Sequence, residues 1–487
     1  MAVQVIEFES QNADNDWLRR IGKKSPLQFT VLLSLLALCL VSLGAAQTSY
    51  TITDLGTLGG SYSNGLGINA SGQVTGYSNT AGDSAYHAFV ITSPYTSMID
   101  LGTLGGSYSS GNAINISGQI TGFSNPAGNS GYHAFLISPP YTSMSDLGTL
   151  GGSYSSGFAI NTSGQVTGFS GTVGNSATHA FLISPPYTSM TDLGTLGGNF
   201  SFGSGINASG QVAGYSTPKS SSAYHAFLIS PPYTSMTDLG TLGGNFSYGL
   251  AINASGQITG FSNTTGDSVH HAFLISSPYT NMTDLGTLGG SNSSALAINA
   301  SGQVTGFSDT TNNRATHAFL YTPTKGMVDL NSLLPANSGW TLVEGQAIND
   351  AGQITGFGTV ANGAIHAFVL SPINPYKAFV QPPINADGSS VFIGRGVIPV
   401  KFTLRQNGIA TRSLPPATIS VTRTAGGTLG SIDPSVYRTP ADSGSNFRIA
   451  GAQYIYNLAA SSLGAGTYRV DISIGGNVVG QAVFKLQ

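Results

Sequence analysis

One cysteine, Cys39, is all that this 487-residue chain contains, and it lies in an apolar run near the N-terminus. Beyond that run there is no disulfide framework and no thiol chemistry. Charge is scarce as well. Asp, Glu, Lys and Arg make up 8% of the residues, against about 25% in an ordinary soluble domain. The scarcity does not mean disorder, because 40% of residues are hydrophobic and the net charge is only −3. Dense basic stripes are missing. Positions 47 to 373 hold 12 acidic and 3 basic residues, and positions 374 to 487 hold 4 and 10. Nucleic acid is therefore excluded as a partner. No stretch beyond the N-terminal run repeats its apolar residues every 3.6 positions, so nothing there reads as helix.

What the chain does have is a period. His-Ala-Phe falls at His87, His133, His179, His225, His271 and His317, always 46 residues apart, and again at His366 after 49. Asn69, Asn115, Asn161, Asn207, Asn253, Asn299 and Asn349 keep step. A fixed period of roughly 20 to 50 residues means one supersecondary unit stacked many times.

In the second copy, Ala113-Ile114-Asn115 reads as a short strand and Asn115-Ile116-Ser117-Gly118 as a hairpin turn. Gln119 to Ser124 is the return strand. His133 to Ser138 is a third strand, apolar on both faces. Pro139-Pro140-Tyr141 turns the chain, and Met144 to Leu150 is a fourth strand. Four short antiparallel strands in 40 to 50 residues is the size of a propeller blade. The residue before each repeated Ile is always Gly or Ala, as a crowded inner strand requires. A β-solenoid is the rival architecture, but seven copies suit a closed ring. The expectation is an all-β chain, a seven-bladed β-propeller over residues 50–371.

The strand types are offset at the ends. Each Asp-Leu-Gly-Thr-Leu string precedes an Ile-Asn string, beginning with Asp54, and none follows His366-Ala367-Phe368. The missing outer strand of the last blade is expected to come from the Ile52 to Leu55 region. It should pair antiparallel with His366 to Leu370 and so remove an exposed edge.

Residues 1–46 carry Arg19, Arg20, Lys23 and Lys24, then an apolar run from Phe29 to Leu43, then Gly44-Ala45-Ala46. This is the order of a signal peptide. An uncleaved membrane anchor is the alternative, since the run from Phe29 to Ala46 is just long enough to span. Either exports the rest. Pro372, Pro375, Pro382 and Pro383 mark a boundary. Residues 372–380 are read as a linker, and 381–487 as a β-sandwich (Ig-like) domain with several short strands and a turn at Gln406-Asn407-Gly408.

The strings Asp-Leu-Gly-Thr-Leu-Gly-Gly, Ile-Asn-x-Ser-Gly-Gln-x-Thr-Gly and His-Ala-Phe resemble the extracellular repeat family named for its His-Ala-Phe tripeptide. The resemblance implies an exported repeat array and no particular activity. The segment from Tyr376 on, with Pro399-Val400-Lys401-Phe402 and Gly466-Thr467-Tyr468, resembles a small exported domain named for its Pro-x-Lys-Phe motif.

The seven histidines are spread one per repeat, too far apart to share a metal, so each is expected to bond an Asp or Asn of its own unit. The lone carboxylates Asp54, Asp100, Asp146, Asp192, Asp238 and Asp284 do not have calcium spacing. No metal, cofactor or catalytic residue is expected. His270, beside His271, reads as a loop residue. Two candidate ligand sites remain. The loops before each His vary most, and Tyr62, Tyr108, Tyr154 and Tyr248 stand on the same face, in the connections between blades. The irregular seventh unit carries Trp340 and Glu344, the only Trp and Glu beyond the leader. The expected function is an exported, non-catalytic binding or surface-structural module. It would be a monomer with an extracellular glycan or protein ligand, and would touch membrane only through an uncleaved N-terminus. A polysaccharide hydrolase or lyase at the seventh blade is the rival, as is a lectin with equivalent sites on several blades.

Overall fold

The repeat builds a four-stranded antiparallel sheet, and successive repeats build it again along the described residues. The computed structural model describes residues 49–373, 376–385, 387–394, 396–406, 409–411, 414–425, 442–474 and 477–487. The signal or anchor read over 1–46, with Cys39, and the turn at Asn407-Gly408 lie outside the described residues.

The second repeat is typical. Its inner strand is Gly105–Ile114, followed by Ile120–Pro126, His133–Ile137 and the outer Ser145–Asp146. Each strand pairs antiparallel with the next. Two extents differ from expectation. The inner strand is the ten residues Gly105–Ile114 rather than Ala113-Ile114-Asn115, because it already begins at the Gly-Gly step and ends before the turn asparagine. The outer strand has two residues rather than Met144 to Leu150. Asp146 Oδ1 accepts the Gly148 N–H at 2.8 Å and bends the chain off the ladder.

The glycine of each Gln-x-Thr-Gly string is needed for closeness. A Cβ on Gly76 would stand 1.9 Å from the Asn64 carbonyl oxygen across the ladder. A bulge between Gly65 and Gly67 bends the inner strand at this point.

Apolar layers fill the gaps between neighbouring sheets. Ala88, Val90 and Leu101 of the first sheet pack on Ile114, Ile120 and Phe135 of the second. The Phe of every His-Ala-Phe is fully buried. Each such ring contributes about 1.5 to 3 kcal/mol, so the motif marks the core rather than a site.

The ring closes as the offset requires. Ser49–Asp54 pairs antiparallel with Ile365–Ile373, with Ile52 opposite Leu370 and Asp54 opposite Phe368. This strand is the outer member of the sheet built from Trp340–Ile348, Ile354–Val360 and Ile365–Ile373. The Leu55 N–H adds a bond to the Ala367 carbonyl at 3.0 Å. Burial raises the pKa of Tyr50, within this strand, to about 12. The architecture is all-β and of the β-propeller kind.

A second closure runs around the inner turns. Asn69 Nδ2 donates to the Asn115 carbonyl at 3.0 Å, Asn115 to Asn161, and so on through each repeat. Asn349 Nδ2 then donates back to the Asn69 carbonyl at 3.0 Å. Each Asn Oδ1 also accepts two backbone N–H groups of its own turn, from Ser71 and Gln73 in the first. The asparagine holds its turn, as expected from sequence, and also ties that turn to the next.

Of the span read as a linker, Pro372 and Ile373 end a propeller strand, and Tyr376–Gln381 forms a strand paired with Val397–Gln406. Alternating apolar residues here find a sheet edge, which prolines at the flanks did not prevent. Among its described residues the C-terminal part holds two sheets. They share one cluster that includes Phe392, Phe402, Tyr454, Val470 and Phe484.

Candidate ligand site on the ring axis

Strand periodicity decides which side chains face the axis. Two residues before each repeated Ile stand Leu66, Asn112, Phe158, Ser204, Leu250, Leu296 and Gln346. All seven line one cavity of about 580 Å³, together with Tyr77, Tyr86, Ser110, Phe123 and Tyr215. A cavity that draws the equivalent residue from every repeat must lie on the ring axis. The position two residues earlier carries Asn64, Ser110, Ser156, Phe202, Tyr248, Ser294 and Glu344.

Aromatic rings crowd the cavity's flank. Tyr62 stacks on Tyr77 at 5.7 Å between centroids, and Tyr86 lies 4.8 Å from Tyr108. Phe202 stacks on Tyr215 at 4.8 Å, and Tyr248 on Phe261 at 4.5 Å. Burial and the neighbouring tyrosines push the Tyr215 hydroxyl far above its ordinary range. Three polar atoms of these strands are buried without a hydrogen-bond partner: Asn64 Oδ1, Ser156 Oγ and Ser204 Oγ. Buried polar groups are normally paired. Unpaired ones beside a cavity are what a ligand would satisfy.

The sequence-predicted residues fall into place unevenly. Tyr62, Tyr108 and Tyr154 share one repeat position, within the inner strand rather than in the connection. Tyr248 is the equivalent of Asn64, two residues further on. The loop before His does share their end of the sheet, since Asp83 Oδ1 accepts the Ser61 N–H at 2.7 Å. That bond, with Asn79, holds the Asp83 carboxyl below its usual range.

Trp340 and Glu344 part company. Trp340 packs edge-on to Phe368 at 6.1 Å, in an apolar cluster with Leu342 and Leu370. Glu344 stands opposite Phe357 and accepts from Gln346 Nε2 at 2.6 Å. Burial raises its pKa. His270 is not a loop residue. It opens the strand His270–Ile275, lies tilted 5.1 Å from the Phe261 ring, and burial lowers its pKa.

Each repeated His except His366 bonds an Asp 12 or 13 residues on, as His87 Nδ1 to Asp100 at 2.9 Å, and His366 bonds Asp54. The same Asp holds the Gly two residues later, as Asp100 Oδ1 accepts from Gly102 at 2.8 Å. The tyrosine of each Pro-Pro-Tyr turn also has a structural task. Tyr141 sits at φ 64° and its hydroxyl donates to the Gly118 carbonyl at 3.0 Å. Among the described residues no three His, Cys, Asp or Glu side chains gather as metal ligands would.

Sequence reasoning missed the axial ring. The signal was visible: the place two before each Ile changes from repeat to repeat while its neighbours hardly do.

A family profile described as "Protein of unknown function (DUF3466)" matches residues 205–442. No curated protein matches the chain. Among solved structures it is similar to a putative TolB from Agrobacterium tumefaciens, at 12% identity and TM-score 0.34, over 50% of this chain and 83% of that one. It is similar to the β-propeller domain of the Trilobed protease from Pyrococcus furiosus, at 8% identity and TM-score 0.44, over 63% and 93%. It is also similar to dipeptidyl peptidase 4 of Porphyromonas gingivalis, at 9% identity and TM-score 0.34, over 71% and 61%.

Proposed function

We propose that this chain is an exported, non-catalytic binding protein: a seven-bladed propeller that receives one ligand in its axial cavity, followed by an Ig-like β-sandwich. One observation carries the reading. Near-identical repeats differ at the residues that face the axis, Leu66, Asn112, Phe158, Ser204, Leu250, Leu296 and Gln346. Core positions such as the seven buried Phe do not differ. Variation at a concave surface on a constant scaffold is the mark of recognition. Because the seven positions hold five residue types, with Leu at three of them, the ligand is asymmetric and single, which separates this reading from a lectin with equivalent sites on each blade. Aromatic faces beside hydroxyl and amide groups suit a saccharide.

The polysaccharide hydrolase reading needs two facing carboxylates about 5 to 9.5 Å apart. The groups around Glu344 are instead Gln346, Phe357 and Tyr62.

A glycan array on the full chain identifies the ligand, and Leu250→Trp then tests the place. Filling the cavity should weaken binding at least about tenfold without lowering the melting temperature. Unchanged binding, or a footprint confined to the Pro-Pro-Tyr turns, would sink the reading.

A further inference from the structure

We infer that the sector of the axial cavity between the last and first sheets binds the protonated amino group of an amino sugar. This rests on the cavity being the ligand site, and goes beyond it by fixing the ligand's charge and orientation.

Glu344 lies on the inner strand of the last sheet. Its carboxylate forms no ion pair among the described residues, and accepts one hydrogen bond, from Gln346 Nε2. Aromatic rings surround it. Phe357 is its cross-strand partner, and Tyr62 of the adjoining sheet lies 6.3 Å from Phe357. Tyr62 in turn stacks on Tyr77. The negative charge of Glu344 reaches the Tyr62 hydroxyl and helps to raise its pKa, after burial and Tyr77. A carboxylate among aromatic faces is the chemistry that holds an ammonium group.

A second observation is independent of Glu344. Asn64, on the inner strand of the first sheet and opposite Tyr77, is only 5% exposed. Its Oδ1 has no donor. So two acceptors flank Tyr62: Glu344, charged and bonded once, by the cavity-lining Gln346, and Asn64 Oδ1, neutral and without a donor. A primary ammonium supplies three N–H donors and the missing positive charge. An anion finds nothing here, since the cavity lining contains no Lys or Arg. The rest of the lining suits the sugar's body: Phe158 and Tyr215 offer ring faces, and Ser110, Asn112 and Ser204 offer polar groups to its hydroxyls.

Calorimetry on the full chain tests this with a glucosamine tetramer, its N-acetylated counterpart and a simple diamine at near-neutral pH. The free-amine tetramer should bind at least about tenfold more tightly than the N-acetylated one. Glu344→Gln should abolish that preference and leave N-acetyl binding unchanged, and Asn64→Leu should reduce it. Melting curves establish that each variant is folded, and Asn64→Leu stands in should Glu344→Gln not fold. Equal binding of both tetramers, removed by Leu250→Trp, would overturn the ammonium subsite and leave the cavity reading intact. Binding of neither tetramer, with a different ligand that Leu250→Trp still blocks, would overturn the inference alone. A diamine binding as tightly as the amino tetramer would overturn the sugar assignment.

Discussion

His366 and Asp54, 312 positions apart in sequence, meet at 3.0 Å. They repeat, across the two ends of the propeller, the pairing that His87 makes with Asp100 within one sheet. Closure therefore uses the repeat's own chemistry, with the outer strand donated from the beginning of the chain. Deleting residues 49–58 should open the ring, expose the edge of Ile365–Ile373 and produce aggregates on size exclusion. A monodisperse deletion variant with an unchanged melting temperature would contradict this.

The His–Asp pairs are less buried than a core histidine would be, with the Asp side chains 29–45% exposed. A half-exposed pair contributes little, up to about 1 kcal/mol. His179→Ala should accordingly lower the melting temperature by only a few degrees, and leave the metal content of the purified chain as it was. Elemental analysis together with thermal unfolding checks both halves.

The asparagine ring should matter more. Asn161→Ala removes the donor to the Asn207 carbonyl and the acceptor for two backbone N–H groups. Each buried group left unpaired costs about 1 to 3 kcal/mol. Denaturant unfolding should show a loss of at least about 2 kcal/mol, clearly larger than for His179→Ala. Equal losses would mean that the ring of bonds is incidental.

Glu344 sets a pH dependence. Its folded-state pKa is raised by burial above its unfolded value. Below the unfolded value both states are protonated and nothing is lost. As pH climbs through the folded value the buried carboxyl must ionise, and stability falls. Glu344→Gln should thus melt at a higher temperature than the natural chain at neutral pH, with the difference vanishing near pH about 4. A constant difference across that range would place the effect elsewhere.

Gly76 and Gly82 separate two uses of glycine. At Gly76 an added Cβ meets the backbone of Asn64, which cannot move aside, so Gly76→Ala should cost about 3 kcal/mol or more. Gly82 has φ 79° with open space around it, so Gly82→Ala should cost only about 1 to 2 kcal/mol. Reversed magnitudes in thermal unfolding would refute the assignment.

Much of this fold could be read before the structure. The period placed His-Ala-Phe on one buried strand, and the offset between strand types located the seam at Ile52 and Leu370. The extents of the strands could not be read so well. Asp146 ends the outer strand through its own carboxylate, a side-chain act that apolar alternation does not register. Grouping Tyr248 with Tyr62 as one position of the connection misses the register, which sets them two residues apart. That error preserved the face, since a strand repeats every second residue. The axial ring stayed hidden because variability was sought in loops, and Leu66 and its equivalents lie within strands.

The asparagine ring also has a direction. All seven amides donate the same way round, each to the repeat that follows it in the chain, and the seventh returns to the first. Dipoles laid head to tail on a closed circle cancel in its plane. That end of the propeller is thus bordered by seven strongly polar side chains whose in-plane dipoles sum to almost nothing. The charge at that end comes instead from Asp350, which lines the hollow beside Asn253, Asn299 and Asn349 and whose Oδ1 accepts the Ala300 N–H at 2.9 Å, so one carboxylate and not the amide circle gives this mouth its sign.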